Sequence, residues 1–220
     1  MGFYIVSDYT VFQRGVMPYI STILEGYPDL GPCPECYEVM GHLTGDLLVE
    51  MAEDPAVAWP DLFECEEYRC FIVSQRFVDA MRANNIRIEP GGRVEFEGPI
   101  VNGLSLDDAP DYHWLDGRER HQAGKMDFDA SGYVDVRFCK VCGNRTDDWK
   151  SSRRQREGDP TPPFVFDYDA STGHDLFTTD LSPIVFFCTD RVLETVKKCK
   201  LTNLQFFPVE DPAGENRIVF

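Results

Sequence analysis

The chain has 220 residues, with 21 basic against 38 acidic side chains and a formal charge of −17. Such an excess of carboxylates argues against a general nucleic-acid binder, which needs Lys and Arg to displace counterions from phosphates, and against an anionic membrane surface as partner. With 43% hydrophobic and 13% aromatic residues the sequence has material for a packed core, so its acidity is not that of a disordered tail.

The first ten residues, rich in Phe, Tyr, Ile and Val, predict an opening strand; they lack the basic region of a signal peptide, and Asp8 interrupts them. Val11 to Tyr27 is mixed. Residues 28–40 form a Pro/Gly-punctuated loop around Cys33-Pro34-Glu35-Cys36. From Gly41 to Trp59 a helical pattern (Leu43, Leu47, Leu48, Met51) competes with an irregular reading, and Pro55 and Pro60 close it. Asn102 to Gly132 reads as an acidic loop, and Asn144 to Pro163, the most polar stretch, as a mobile one centred on Ser151 to Arg156. The longest apolar run, Ile184 to Cys188, is far too short to span a bilayer. The expected location is the cytoplasm.

A weak internal repeat organises the rest. Phe71-Ile72-Val73-Ser74-Gln75-Arg76-Phe77-Val78 aligns without a gap on Phe186-Phe187-Cys188-Thr189-Asp190-Arg191-Val192-Leu193, and the match runs on to Arg82 and Lys197. Each copy is an apolar strand, a hydroxyl residue suited to cap a helix, and an amphipathic helix whose apolar face is Phe77, Val78 and Met81 or Val192, Leu193 and Val196. A hairpin is expected after each helix. In the first copy it pairs Ile86 and Ile88 with Arg93 to Phe96 across Pro90-Gly91-Gly92; in the second it pairs Leu204, Phe206 and Val209 with Arg217 to Phe220. The expected fold is therefore one α+β unit spanning 1–220, with related strand-helix-hairpin modules at 71–96 and 186–220. These modules are scaffold, and their apolar positions are core.

Eight cysteines in a sequence without signs of secretion suggest metal binding before disulfides. Cys33-x-x-Cys36 and Cys139-x-x-Cys142 have the spacing of two knuckles, at 28–40 and 137–146. A two-residue gap lets both sulfurs of a turn face one ion, and two turns complete the four-thiolate shell of structural zinc. Gly143 after the second pair permits a positive φ; Tyr37 stands at the corresponding place after the first, a conformation that a non-glycine adopts at modest cost. Redox chemistry and unconnected core thiols are the alternatives. Joining Cys36 to Cys139 closes a loop of about a hundred residues, for which chain entropy gives on the order of 4 to 5 kcal/mol. With all four ligands from protein, such a zinc is a clip resembling a discontinuous zinc ribbon and has no open position for catalysis. Arg137, Lys140 and Arg145 offset the −2 of its thiolate shell. Cys65, Cys70, Cys188 and Cys199 read as small buried hydrophobes.

The sequence lacks a phosphate loop, a His-Glu-x-x-His and a Gly-x-Ser-x-Gly elbow. His42, His113, His121 and His174 are scattered, and His113 and His121 read as surface residues of the acidic loop. Lys150 to Arg156 reads as a solvated run.

These residues resemble the double-CXXCG-motif proteins, a bacterial family known best from myxobacteria and associated with immunity to polymorphic toxins. The resemblance rests on the two cysteine pairs and on a C-terminal block: Asp175-Leu176-Phe177, the apolar strand Ile184 to Cys188, Thr189-Asp190-Arg191, and Phe206-Phe207-Pro208-Val209. Tyr37 and a longer acidic tail after Val209 depart from the family pattern. The resemblance implies a non-enzymatic cytoplasmic protein that binds and neutralises a cognate toxin, with zinc as a structural cofactor. An acidic inhibitor suits a basic toxin. Asp107, Asp108 and Asp111, near Tyr112 and Trp114, are the candidate partner surface, because aromatics are frequent hot spots. The alternative is a zinc-containing regulatory or nucleic-acid-associated module that uses the basic run.

Overall fold

The computed structural model describes residues 1–8, 20–26, 33–37, 43–51, 58–65, 70–98, 104–117, 121–143, 145–146, 162–180, 182–212 and 216–220, excluding the side chains of 8, 20–25 and 182–184. In chain order the elements are β1 (Phe3–Asp8), β2 (Ile20–Glu25), β3 (Leu47–Met51), β4 (Leu62–Cys65), β5 (Cys70–Ser74), α1 (Gln75–Ala83), β6 (Arg93–Glu97) and β7 (Tyr112–Asp116). They continue with β8 (Gly124–Met126), β9 (Phe166–Tyr168), β10 (Leu176–Thr179), β11 (Ser182–Thr189), α2 (Asp190–Cys199), β12 (Leu204–Pro208) and β13 (Ile218–Val219). The architecture is α+β. A five-stranded sheet runs β10-β11-β1-β12-β13, a six-stranded sheet runs β2-β3-β6-β7-β5-β4, and β8 and β9 make a ribbon. No helix among the described residues is long and apolar enough to cross a membrane.

The repeat is visible in three dimensions. β11 and β12 are each antiparallel to β1, hence parallel to one another, and α2 makes the crossover that parallel strands require. β5 and β6 flank β7 in the same way, with α1 as the crossover. The middle strand of one unit precedes it in the chain, and that of the other follows it. Helix ends match residue for residue. Asn85 and Lys200 are both left-handed, at φ 55° and 52°. The Ile86 amide donates to the Met81 carbonyl at 2.9 Å, and the Leu201 amide to that of Val196 at 3.1 Å, the outer bond of a Schellman cap.

The two units face each other about an approximate two-fold. Phe71 stacks on its counterpart Phe186, with ring centroids 4.5 Å apart. Around them Phe77, Val78 and Met81 of α1 meet Val192, Leu193 and Val196 of α2 in one buried core. Strands β5 and β11 are buried on both faces. Phe71 and Val73 join this central core while Cys70 and Ile72 join a second one; Phe186 and Cys188 join it while Val185 and Phe187 join a third. That is why both strands read as continuous apolar runs.

Polar clasps close the seam. Buried Asp61 accepts from Ser74 Oγ (2.6 Å), Arg76 Nη2 (2.8 Å), and the amide and hydroxyl of Thr202 (2.8 and 3.1 Å). Asp175 accepts from Thr189 Oγ1 (2.7 Å) and Arg191 Nη1 (2.5 Å). The contacts are reciprocal: Arg76 also donates to the Lys200 carbonyl at 2.6 Å, and Arg191 to that of Asn85 at 3.0 Å.

Several expectations need correction. Residues 47–51 are a strand, because Leu47, Val49 and Met51 are buried while Leu48 and Glu50 are half-buried, a period of two. The 102–132 stretch contains β7, an inner strand of the six-stranded sheet, whose acids at either end hide an apolar middle. Ile86 and Ile88 are buried but outside any strand, and β6 pairs with β3 in parallel and with β7 antiparallel instead of forming a local hairpin. The β12–β13 hairpin forms as expected. Ser74 caps α1 through the Phe77 amide at 3.1 Å, whereas Thr189 makes no side-chain cap and gives its hydroxyl to Asp175. The run Lys150 to Arg156 and His42 lie outside the described residues.

Candidate metal centre

Each cysteine pair closes a tight turn of the same form. The Tyr37 amide donates to the Cys33 carbonyl at 2.9 Å, and the Gly143 amide to that of Cys139 at 2.9 Å. Tyr37 (φ 62°) and Gly143 (φ 74°) both take the left-handed conformation that lets the chain leave the turn. Tyrosine thus does at the first knuckle what glycine does at the second, and its ring stands 78% exposed.

The turns meet although 106 positions separate their cysteines. Cys33 Sγ lies 3.7 Å from Cys139 Sγ, Cys36 Sγ lies 3.5 Å from Cys142 Sγ, and all four sulfurs fall within 4.8 Å of one another. Four thiolates at ~2.3 Å from a tetrahedral ion would stand about 3.8 Å apart, so the arrangement fits such an ion with little adjustment. This is the one group of three or more potential ligands among the described residues. Cys33 and Cys139 are buried, Cys36 and Cys142 half-buried. The amides of Cys36 and Glu35, with the neighbouring thiols, outweigh burial and bring the Cys33 thiol down to about 7, which readies it to bind as thiolate. The Val141 amide points at Cys139 Sγ from 3.4 Å, a backbone donor of the kind that orients a metal-bound sulfur.

The second knuckle is anchored to the third core. Phe138 and Arg145 bridge across it, and the Thr146 amide returns to the Arg137 carbonyl at 2.9 Å. Phe138 meets Phe128 at 5.9 Å, Phe128 meets Tyr133 at 5.8 Å, and the Arg145 guanidinium lies over the Tyr133 ring at 4.5 Å. Tyr133 packs with Phe177 and Phe187 beneath the five-stranded sheet. Arg145 is therefore held in a cation–π contact, while Arg137 and Lys140 face solvent beside the sulfurs. The aromatic anchor could not be read from sequence, because Phe128, Tyr133 and Phe138 follow no period of helix or strand.

The proposed partner surface divides. Asp107, Asp108 and Asp111 are exposed. Tyr112 and Trp114 are not available for contact, being 1% and 2% exposed. Both point inward from β7, where Tyr112 donates to the Pro60 carbonyl and Trp114 to that of Gly45.

Two of the histidines also differ from expectation. His113 is half-buried on β7, 2.7 Å from Gln75 Oε1. His121 is fully buried: its Nδ1 donates to the Asp116 carbonyl at 2.8 Å and its Nε2 faces the Glu89 amide at 3.5 Å, an arrangement that requires the neutral ring. His174, also buried, lies with its ring centroid 5.7 Å away. Burial pushes both imidazoles below their ordinary value. Their unfolded forms then take up protons first, so stability is full above about pH 6.5 and falls as the pH drops below it. Denaturant midpoints at pH 7.5, 6.5 and 5.5 should decrease in that order, and His121→Gln should flatten the slope; a flat wild-type profile would contradict this account.

Comparison with protein-family models gives no match, and comparison with curated proteins gives none.

Proposed function

We propose that the chain is a non-enzymatic immunity-type protein, fastened by a structural zinc on Cys33, Cys36, Cys139 and Cys142, which binds and neutralises a basic protein toxin in the cytoplasm. The observation that carries this reading is the convergence of two Cys-x-x-Cys turns into one four-sulfur cluster, in a chain whose C-terminal block also resembles the double-CXXCG family. The four thiolates would fill the ion's coordination shell, so the ion serves the fold. A charge of −17 favours a basic partner through steering, and exposed carboxylates are supplied by Asp107 and Asp108 on one short turn and by Asp111 just before β7.

A second reading, a zinc-containing nucleic-acid-associated module, is favoured by Arg137, Lys140, Tyr37 and Phe138, which are all exposed around the cluster. One pair of experiments separates the two. If a secreted toxin is encoded beside this protein, its co-expression with the protein should restore growth of the poisoned host and yield a stable complex. Absence of both, together with salt-sensitive binding of the purified protein to an oligonucleotide, would replace the first reading by the second.

A further inference from the structure

Two of the remaining cysteines face each other. In the antiparallel pair β4–β5 the register sets Cys65 directly opposite Cys70, on the last rung before the connecting residues 66–69. Neither is in a disulfide; they are 4% and 3% exposed, and both belong to the second core with Phe63, Ile72 and Tyr112. Directly opposed residues of antiparallel strands have Cα atoms about 4.5–5.5 Å apart, inside the roughly 4.4–6.8 Å range that a disulfide spans. The two side chains also share a face, so no strand has to move or turn for the sulfurs to join. Cys188, by contrast, sits between Tyr4 and Leu176 and has no cysteine opposite.

We propose that Cys65 and Cys70 form a cross-strand dithiol that a small disulfide oxidant closes to an intramolecular disulfide, a redox-active site separate from the metal centre. The chemistry balances with glutathione disulfide as oxidant. One cysteine thiolate attacks a glutathione sulfur and expels one glutathione thiolate. The second cysteine, losing its proton, then attacks the mixed disulfide and expels the other. Two protons and two electrons leave the protein, and two glutathione thiols are formed.

The hydrogen bond with Cys65, reinforced by burial and by the Cys65 and Asp116 charges, pushes the Cys70 thiol well above its ordinary value. Thiolate is then scarce near neutrality, which slows the first attack on the oxidant. The closure rate should rise with pH accordingly.

The test incubates the zinc-supplemented full chain in mixtures of reduced and oxidised glutathione, quenches with acid, alkylates under denaturing conditions and digests after Arg69, which separates the two cysteines. The expected product is a cross-linked peptide pair joining Cys65 to Cys70, about 2 Da lighter than the two thiol peptides together and reversed by dithiothreitol. In Cys65→Ser the cross-link is lost and Cys70 is recovered as thiol or as its glutathione adduct. Recovery of both cysteines as alkylated thiols in fully oxidised glutathione, or a glutathione adduct on either that never resolves in the wild-type chain, would overturn the proposal. Peptides carrying Cys33, Cys36, Cys139 and Cys142 are scored separately, so oxidation at the metal centre does not enter the result.

Discussion

A chelator added to the reduced, zinc-loaded protein is expected to lower its unfolding midpoint by roughly 10–20 °C. An ion held by all four sulfurs would join turns 106 positions apart, and the chain entropy of closing a loop of that size is about 4.7 kcal/mol. For a protein of this length each kcal/mol moves the midpoint by about 2–4 °C. Zinc affinity enters the folding free energy directly, because the unfolded chain has no preformed site. Cys139→Ser should reproduce the loss without chelator, because it removes a buried ligand and leaves the Val141 amide aimed at a weaker acceptor. Calorimetry with and without chelator, paired with metal analysis, measures both. An unchanged midpoint, or fresh reduced protein with well under one zinc per chain, would remove the ion from the account of the fold.

Asp61→Ala should be the most costly single substitution at the seam, at about 3–4 kcal/mol. It strands the Ser74 hydroxyl and the Thr202 amide, both of which Asp61 satisfies at a nearly solvent-free position, and each orphaned buried donor costs about 1–3 kcal/mol. Arg76 is mostly in water and recovers much of its hydration, so the ion pair contributes less than the hydrogen bonds. Asp175→Ala at the related clasp should cost less, about 2 kcal/mol, because among the described residues no counterpart of Thr202 is bonded there. Urea midpoints of the two variants give the ranking directly, and equal costs would show that the clasps act as plain ion pairs.

Where the sequence was informative, the reason is local. Phe77, Val78 and Met81 declare a helix face because helical periodicity and burial coincide there, and the cysteine pairs declare their turns because ligand spacing is a short-range constraint. Pairing across the sheets was not legible in the same way. β6 has polar residues alternating with Val94 and Phe96, a pattern equally consistent with a local hairpin, and only the long-range partners β3 and β7 settle it. The acids around β7 conceal it, so that Tyr112 and Trp114 read in the sequence as surface aromatics although they are core. His121 was misplaced for a related reason: its polar neighbours in sequence are not its neighbours in space, which are Asp116, Glu89, His174 and Phe186.

The position of β1 has a consequence for synthesis. Every strand of the six-stranded sheet lies within residues 20–116, so that sheet can close while the rest of the chain is still being made. β1 is translated before that sheet, yet its neighbours β11 and β12 begin at Ser182 and Leu204. Until those residues leave the ribosome, Phe3, Ile5 and Val6 have no sheet to join, and the apolar side of α1 lacks the helix that covers it. The nascent protein therefore passes through a half-built stage with an unpaired strand and an open core, the kind of surface on which chaperones act and chains aggregate. A chain stopped before Ser182 would remain at that stage.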